Sequence, residues 1–468
     1  MKPSNTLHSD CTNSPIDELL SLLEKVGSED PDPRTGRLFA YVYEAGDENL
    51  RRIALKALTQ FAEKNLLDFT VFKSAIFFER EVIGFAKRLM HGDTDVVGSF
   101  TFGGTESIML AVKAARDHYK KREGAATVPK ILAPLTIHPA FLKAADYLGL
   151  KVVRLPIKDA KADVNAFAEA IDKETALIAL SAPNWPFGTI DPVEEIAEIA
   201  LDMNIPLHVD ACLGGFILPF FEMLGETVPK FDFRIEGVTS ISLDVHKYGY
   251  APKGASIVLF RNPELKKYSM FVDVSSPGYV FVNQAVLSSR PEGPLAAAFA
   301  VIKYLGVEGY KKLAKKVLYA RNSIYQGMKK LGFESIGRVE SSVMALYNAN
   351  IDLISFVSNM RKLGWHLSLQ RGLREYAIPD NIHLVISPIH ANVVNDFLND
   401  VVKALEMKPE IDAARVYAMV ERGEFDQLVK WLQEGVIDSS IIPKILETIP
   451  EEVAVELIKS IVVEWFKQ

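Results

Sequence analysis

The chain has 468 residues, 49% of them apolar and 24% charged, with a formal net charge of −7. That is the make-up of a globular protein long enough for two or three domains, and its mild acidity excludes a bulk electrostatic grip on nucleic acid or an anionic membrane. Two cysteines, Cys11 and Cys212, exclude a disulfide framework and point to a reducing, cytoplasmic setting.

Residues 1–10 hold no apolar core and do not read as a signal peptide. No run of about 18 uninterrupted apolar residues offers a transmembrane helix. Residues 1–36 are polar apart from a short amphipathic piece around Ile16–Val26, and Pro31-Asp32-Pro33-Arg34-Thr35-Gly36 reads as an irregular arm. Apolar residues at helical spacing, through Leu50, Ile53, Ala54, Ala57 and Leu58 and again from Phe77 to Leu89, predict helices within 47–93.

From about residue 100 to 260, short apolar runs alternate with helical stretches. Strands are expected at Lys130–Ala133, Lys151–Leu155, Ala176–Ser181, Pro206–Asp210, Ser240–Leu243 and Ala255–Phe260. Helices are expected at Thr105–Glu123, Pro139–Leu148, Val164–Ile171 and Pro192–Met203. Apolar strands alternating with helices define an α/β large domain with a mainly parallel, buried sheet, and place active groups at the carboxyl ends of its strands. After Pro294 a long apolar-periodic stretch runs towards Lys330 into a smaller α+β domain, with strands near Ser342–Leu346 and His383–Ile386. Residues 409–468 read as amphipathic helices punctuated by Gly435 and Pro443. The expected division is an arm and helix at 1–65, a large domain at 66–305, a small domain at 306–408 and a helical extension at 409–468.

The chemistry concentrates in Asp244-Val245-His246-Lys247-Tyr248-Gly249-Tyr250-Ala251-Pro252-Lys253-Gly254 and in His208-Val209-Asp210-Ala211 upstream. An acid after one strand and a His-Lys pair after another is what a pyridoxal phosphate (PLP) site needs. The Lys247 amine forms a Schiff base with the cofactor aldehyde, and Asp210 pairs with the pyridinium nitrogen and keeps the ring an electron sink. Apolar neighbours such as Ile241, Leu243 and Val245 speak against a solvated Lys247.

Gly103-Gly104-Thr105-Glu106-Ser107 opens a helix whose bare N–H groups suit the cofactor phosphate; taken alone, the same residues make a plain N-cap. His138 follows a strand and opens a helix, and two roles are open to it: stacking on the pyridine ring or capping the helix. His246 is placed to bind the phosphate or relay protons. Lys253 reaches a substrate anion or sits on a surface turn. Gly249 to Gly254 has P-loop glycine spacing, but Ala255 stands where that motif requires Lys, and no metal-ligand spacing is present.

These runs, together with Ile205–Phe216, Phe231-Asp232-Phe233-Arg234 and Gly237–Ser242, resemble the sphingosine-1-phosphate lyases, in the group II decarboxylase branch of the fold type I (aspartate aminotransferase-like) PLP enzymes. The resemblance covers roughly residues 34–420. It implies a homodimer with active sites at the subunit interface. It assigns Lys247 the covalent link, Asp210 the pyridine nitrogen, His138 the ring stack, and Gly104, Thr105 and His246 the phosphate. It implies that Ser289 reaches that phosphate from the other subunit, that Tyr43 approaches the substrate across the interface, and that Lys253 binds a substrate phosphate. Two positions depart from the family. Asp68, in Asn65-Leu66-Leu67-Asp68, stands where the family has a substrate-binding histidine, and an acid there repels a phosphate dianion. Asn184-Trp185-Pro186 replaces a tyrosine-containing segment near the ring.

The expected reaction is retro-aldol cleavage of a phosphorylated sphingoid base, or a similar amino alcohol phosphate, to a fatty aldehyde and phosphoethanolamine. Tyr43, His246 or Lys247 would move the protons. Two alternatives stay open: a group II amino-acid decarboxylase, with Arg371 and Arg374 as candidate carboxylate ligands, and a PLP-fold scaffold without turnover.

Overall fold

A computed structural model of the chain describes residues 16–68, 70–124, 128–408 and 450–467, with isolated positions 418, 419, 422, 427, 430 and 431. From the N-terminus the elements run α1 (Ile16–Gly27), α2 (Glu48–Gln60), α3 (Lys73–Leu89), β1 (Val97–Thr101), α4 (Gly104–Glu123), β2 (Lys130–Pro134), α5 (Ala140–Leu148), β3 (Lys151–Leu155), β4 (Ile157–Lys158), β5 (Lys161–Ala162), α6 (Val164–Ala170), β6 (Thr175–Ser181), α7 (Val193–Asp202), β7 (Leu207–Asp210), α8 (Leu218–Met223), β8 (Val238–Leu243), β9 (Ser256–Phe260), α9 (Pro263–Ser269), β10 (Phe271–Asp273), β11 (Phe281–Asn283) and α10 (Gly293–Lys330). The sheet order is β1-β9-β8-β7-β6-β2-β3. Strands β8, β7, β6, β2 and β3 are parallel, whereas β9 runs antiparallel to both β8 and β1.

Strands β6 and β7 are buried at every position, as their apolar runs demand of central strands covered on both faces. Their carboxyl ends are flush, with Ser181 beside Asp210 and Asp210 beside Ser242. Residues 244–255 then turn the chain back into β9, which keeps Lys247 at that same edge.

The sequence reading missed β1, whose Gly98 and Ser99 weaken the apolar pattern; Gly98 is needed because a Cβ there would fall 2.8 Å from both the Val258 carbonyl and the Leu259 side chain. It also took β3 as a fully apolar strand, but three of its five positions are exposed because it closes the edge of the sheet. Helix α10 is kinked at Gly306, where φ 52° and ψ −172° interrupt the helix.

The small domain contains β12 (Glu334–Ser335), β13 (Val343–Tyr347), α11 (Leu353–Lys362), β14 (Ser368–Gln370), β15 (Asn381–Val385) and α12 (Val394–Glu406), with an antiparallel sheet in the order β12-β13-β15-β14. Residues 37–44 were expected to belong to an N-terminal arm, but they are bound to this sheet. The Phe39 N–H donates to the His366 carbonyl (3.1 Å), the Val385 N–H donates to the Phe39 carbonyl (2.7 Å), and the fully buried Phe39 ring stacks on His390 at 4.2 Å. This anchorage sets the path of the chain into Tyr43.

The helices expected at 409–449 fall almost wholly outside the described residues; Glu451–Trp465 is helical. Among the described residues no helix is long and apolar enough to cross a membrane.

Candidate active site

The loop that carries Lys247 folds onto itself. The His246 N–H donates to the Ala255 carbonyl (2.9 Å), and Tyr250, in the left-handed region at φ 58°, donates its N–H to the Lys247 carbonyl (2.9 Å). Two tyrosine hydroxyls tie it down: Tyr310 donates to the Gly249 carbonyl (3.0 Å) and Tyr248 to the Ile386 carbonyl of the small domain (2.9 Å). Lys247 Nζ lies 2.9 Å from Asp244 Oδ2. Burial is the largest influence on Lys247 and opposes its charge, but Asp244, with Tyr43, Cys212 and Asp210 adding to it, more than offsets burial, and the ammonium is held well above its usual range. Asp244 is correspondingly held below the usual carboxylate range: burial acts against its charge, and Lys247 and then His246 overcome that.

Asp210 ends β7. Its Oδ1 accepts the Cys212 N–H (3.0 Å) and the Ser242 hydroxyl (3.4 Å). Behind it, His208 is fully buried between the hydroxyls of Ser240 (2.9 Å) and Ser242 (3.1 Å). Burial pushes His208 down to about 4, so the imidazole is neutral and Asp210 has no cationic side chain bonded to it from this side.

The glycine turn meets both loops. A Cβ on Gly104 would fall 2.6 Å from Cys212 Sγ and 3.0 Å from Asp244 Oδ2, so the backbone of α4's first turn comes closer to the lysine loop than any other residue type permits. Glu106 fixes this turn by accepting the N–H groups of Phe102 and Val286 (2.6 Å each). His246 borders it: its Cε1 would be 3.9 Å from a Cβ on Gly103. The Ala255 N–H donates to His246 Nδ1 (3.3 Å) and the Ala140 N–H to His138 Nδ1 (3.1 Å), so in the neutral forms both rings carry their proton on Nε2. Burial lowers the pKa of both. For His138, Asp210 is the next influence and Lys247 follows, which places its ring at the same site.

Tyr43 differs from its expected placement. It does not leave its own chain's site: its ring meets Tyr248 edge to face at 5.0 Å, Lys253 Nζ sits 5.1 Å from its centroid, and Lys247 and Asp244 both act on its phenol. Burial pushes that phenol up to about 12. Lys253 is lowered by burial and then by the charge of Lys247.

Two expected residues stand apart. Asp68 is exposed and its Oδ1 accepts the Thr70 N–H (2.8 Å) and hydroxyl (2.6 Å), so it closes its own turn. Ser289 is exposed, and no hydrogen bond joins it to the Lys247 site among the described residues. The two share a surface, because the Leu66 N–H donates to the Arg290 carbonyl (2.9 Å) and Asn65 bridges Pro291. Trp185 packs on His383 at 4.3 Å. Arg371 and Arg374 line a cavity of about 350 Å³ with Leu135, just beyond β2.

Three residues of the site, Asp244, Ser242 and Cys212, carry no assigned role from the sequence alone. Asp244 had a legible signal, an acid three residues before the lysine; the other two become neighbours of Asp210 and Gly104 only through strand register and loop packing.

A lysine in a loop at the carboxyl edge of a mainly parallel sheet, a carboxylate at the next strand end and a glycine turn opening a helix between them define a PLP-dependent enzyme of fold type I. Residues 43–346 match the family described as pyridoxal-dependent decarboxylase conserved domain. The chain is 39% identical over 399 residues to the sphingosine-1-phosphate lyase of Arabidopsis thaliana, covering 83% of this chain and 72% of that one. It is 37% identical over 409 residues to that of Dictyostelium discoideum, covering 85% and 75%. Among solved structures, a sphingosine-1-phosphate lyase of Burkholderia pseudomallei superposes with a TM-score of 0.80 at 30% identity, over 90% of this chain and 95% of that one. The chain belongs to the pyridoxal-dependent decarboxylase family.

The cofactor of that family is PLP, and the residues present fit it. Lys247 supplies the amine, and Asp210 has one carboxylate oxygen hydrogen-bonded and the other without a hydrogen bond among the described residues. The Gly104 turn admits no side chain, and among the described residues the buried Asp244 Oδ1 and Thr136 Oγ1 lack hydrogen-bond partners.

Proposed function

We propose that the protein is a PLP-dependent carbon–carbon lyase that cleaves a phosphorylated sphingoid base, or a similar amino alcohol phosphate, to a fatty aldehyde and phosphoethanolamine. The observation that carries this reading is the identity with sphingosine-1-phosphate lyases, 39% over 399 residues and 37% over 409, which spans most of the chain rather than one short motif. Bound PLP supplies an electron sink for the pair released when a bond to the amine-bearing carbon breaks. In this reading Asp210 holds the pyridine nitrogen protonated, His138 covers the ring, and the Gly104-Thr105 turn and His246 Nε2–H hold the phosphate. Tyr43, protonated at neutral pH, relays the proton of the substrate hydroxyl, accepting it as its own phenol proton passes to Lys247, while Lys247 gives a proton to the carbon that keeps the amine. Lys253, partly desolvated above the Tyr43 ring, pairs with the substrate phosphate.

The same reading makes the protein a homodimer. Val272, Val274, Tyr279, Val280 and Val282 on and between β10 and β11 are exposed, and Val286 and Leu287 continue the apolar surface to Ser289. An apolar face of this kind on a large enzyme marks an interface. It would carry Ser289 and the neighbouring Asp68 turn towards the partner.

Rates on phosphorylated and unphosphorylated sphingoid bases test the substrate class. The lyase reading expects at least about a hundredfold preference for the phosphorylated base in kcat/KM, and Lys253→Ala should remove most of it. Equal rates would sink it. The family's decarboxylases provide a second reading, favoured by the two arginines around the cavity at Leu135, and it expects Arg371→Ala to raise KM for an amino acid.

A further inference from the structure

Lys247 and Asp244 form the tightest charged contact in the site. Asp244 is only 2% exposed, its Oδ2 meets Lys247 Nζ at 2.9 Å, and its Oδ1 is buried beneath the Gly104 turn without a hydrogen-bond partner among the described residues. The other titratable or charged groups that act on this pair are Tyr43 from the 37–44 segment, Asp210 at the end of β7 and Cys212 just after it, His138 before α5, and His246 and Lys253 on the lysine's own loop. Among the described residues Asp244 is the one carboxylate within 4.0 Å of Lys247 Nζ. Asp210, the other carboxylate of the site, acts on the lysine more weakly.

Resting on the PLP reading of the site, we propose that Asp244 is a positioning residue that holds Lys247 as an ammonium ion whenever the lysine is not joined to the cofactor. Joining the amine to an aldehyde forms one C=N bond, expels one water and uses the nitrogen lone pair, so an ammonium must first give up a proton. Release of the lysine by a substrate amine reverses this: the freed nitrogen takes a proton back and returns to Asp244. The carboxylate therefore slows cofactor capture by the empty enzyme. During turnover it keeps the displaced lysine charged, beside the reacting carbon, and unable to re-attack.

The test is the pH profile of Lys247 reactivity in the full-length protein stripped of cofactor. Brief labelling with formaldehyde and cyanoborohydride between pH 6 and 11, followed by peptide mass analysis, reads Lys247 against surface lysines of the same sample. The wild type should label Lys247 at a higher pH than the surface lysines. Asp244→Asn should move its profile down by at least about one pH unit, a tenfold or greater gain in rate at pH 8, while Asp244→Glu keeps the wild-type profile. A wild-type midpoint below that of the surface lysines overturns the proposal without any variant. So does an unchanged Asn profile in protein that still binds cofactor. A wild type on which borohydride fixes no cofactor at Lys247 overturns the reading of the site itself.

Discussion

Tyr43 meets Tyr248 edge to face at 5.0 Å, and Tyr248 in turn donates its hydroxyl to the Ile386 carbonyl at the end of β15. One aromatic contact thus joins the segment bound to the small domain, the small-domain sheet and the loop that carries Lys247. It holds the Tyr43 phenol in the field of Lys247 and Asp244 without a hydrogen bond to either among the described residues.

Replacing Tyr43 by Phe keeps the ring contact and removes only the hydroxyl. If that hydroxyl exchanges the substrate proton, kcat falls by about 10²–10⁴ while cofactor loading stays at the wild-type level. Steady-state kinetics alongside the absorbance of the bound cofactor separates the two. A loss of less than about threefold in kcat would remove Tyr43 from the chemistry.

Gly104 admits no Cβ, because the added atom would lie 2.6 Å from Cys212 Sγ. Gly104→Ala should therefore cost about 1–3 kcal/mol of overpacking and weaken cofactor binding at least about tenfold. Adding Cys212→Ala removes the sulfur and should restore part of the loss. A cofactor titration of the single and double variants measures this; an unchanged affinity in Gly104→Ala would mean the turn does not cradle the phosphate.

Stability should fall towards acid pH. His208, His383 and His390 are buried and pushed down to about 4, so the unfolded chain binds protons between about pH 6.5 and 4 that the folded chain refuses. Their contribution is complete above pH 6.5 and is lost as pH falls through 4. Asp191 opposes this: burial pushes it up to about 6, so its contribution is present below the ordinary Asp value and is lost as pH rises through 6. Three histidines outweigh one carboxyl, and each net proton changes stability by roughly 1.4 kcal/mol per pH unit. Urea midpoints measured from pH 4.5 to 7.5 should rise with pH; a flat or falling series would contradict the buried, neutral histidines.

The large domain was legible because its central strands have no solvent-facing side. Leu207 to Asp210 is buried at every position, with the neutral His208 its one polar side chain before the aspartate, and a strand that ends on an acid at the carboxyl edge of a parallel sheet already points to a site. Lys247 was legible for the same reason, as a cation in apolar surroundings. Asp244 was visible but not used, since an acid three residues before a lysine is ordinary on a solvated turn and becomes informative only when both are buried. The setting of Tyr43 was not legible, because it depends on Phe39 pairing with His366 and Val385, more than three hundred residues along the chain. Asp68 was weighed against a phosphate, whereas its carboxylate is engaged with Thr70; a local Asx turn of this kind is readable from Asp-x-Thr spacing.

The most direct measurement is the product analysis of cofactor-loaded wild type and Lys247→Ala, each given a phosphorylated sphingoid base and, separately, a mixture of amino acids. Long-chain aldehyde and phosphoethanolamine in equal amounts from the wild type, with neither from Lys247→Ala, is the predicted result. Carbon dioxide from the amino acids with no aldehyde from the sphingoid base would contradict the lyase and establish a decarboxylase on the same site.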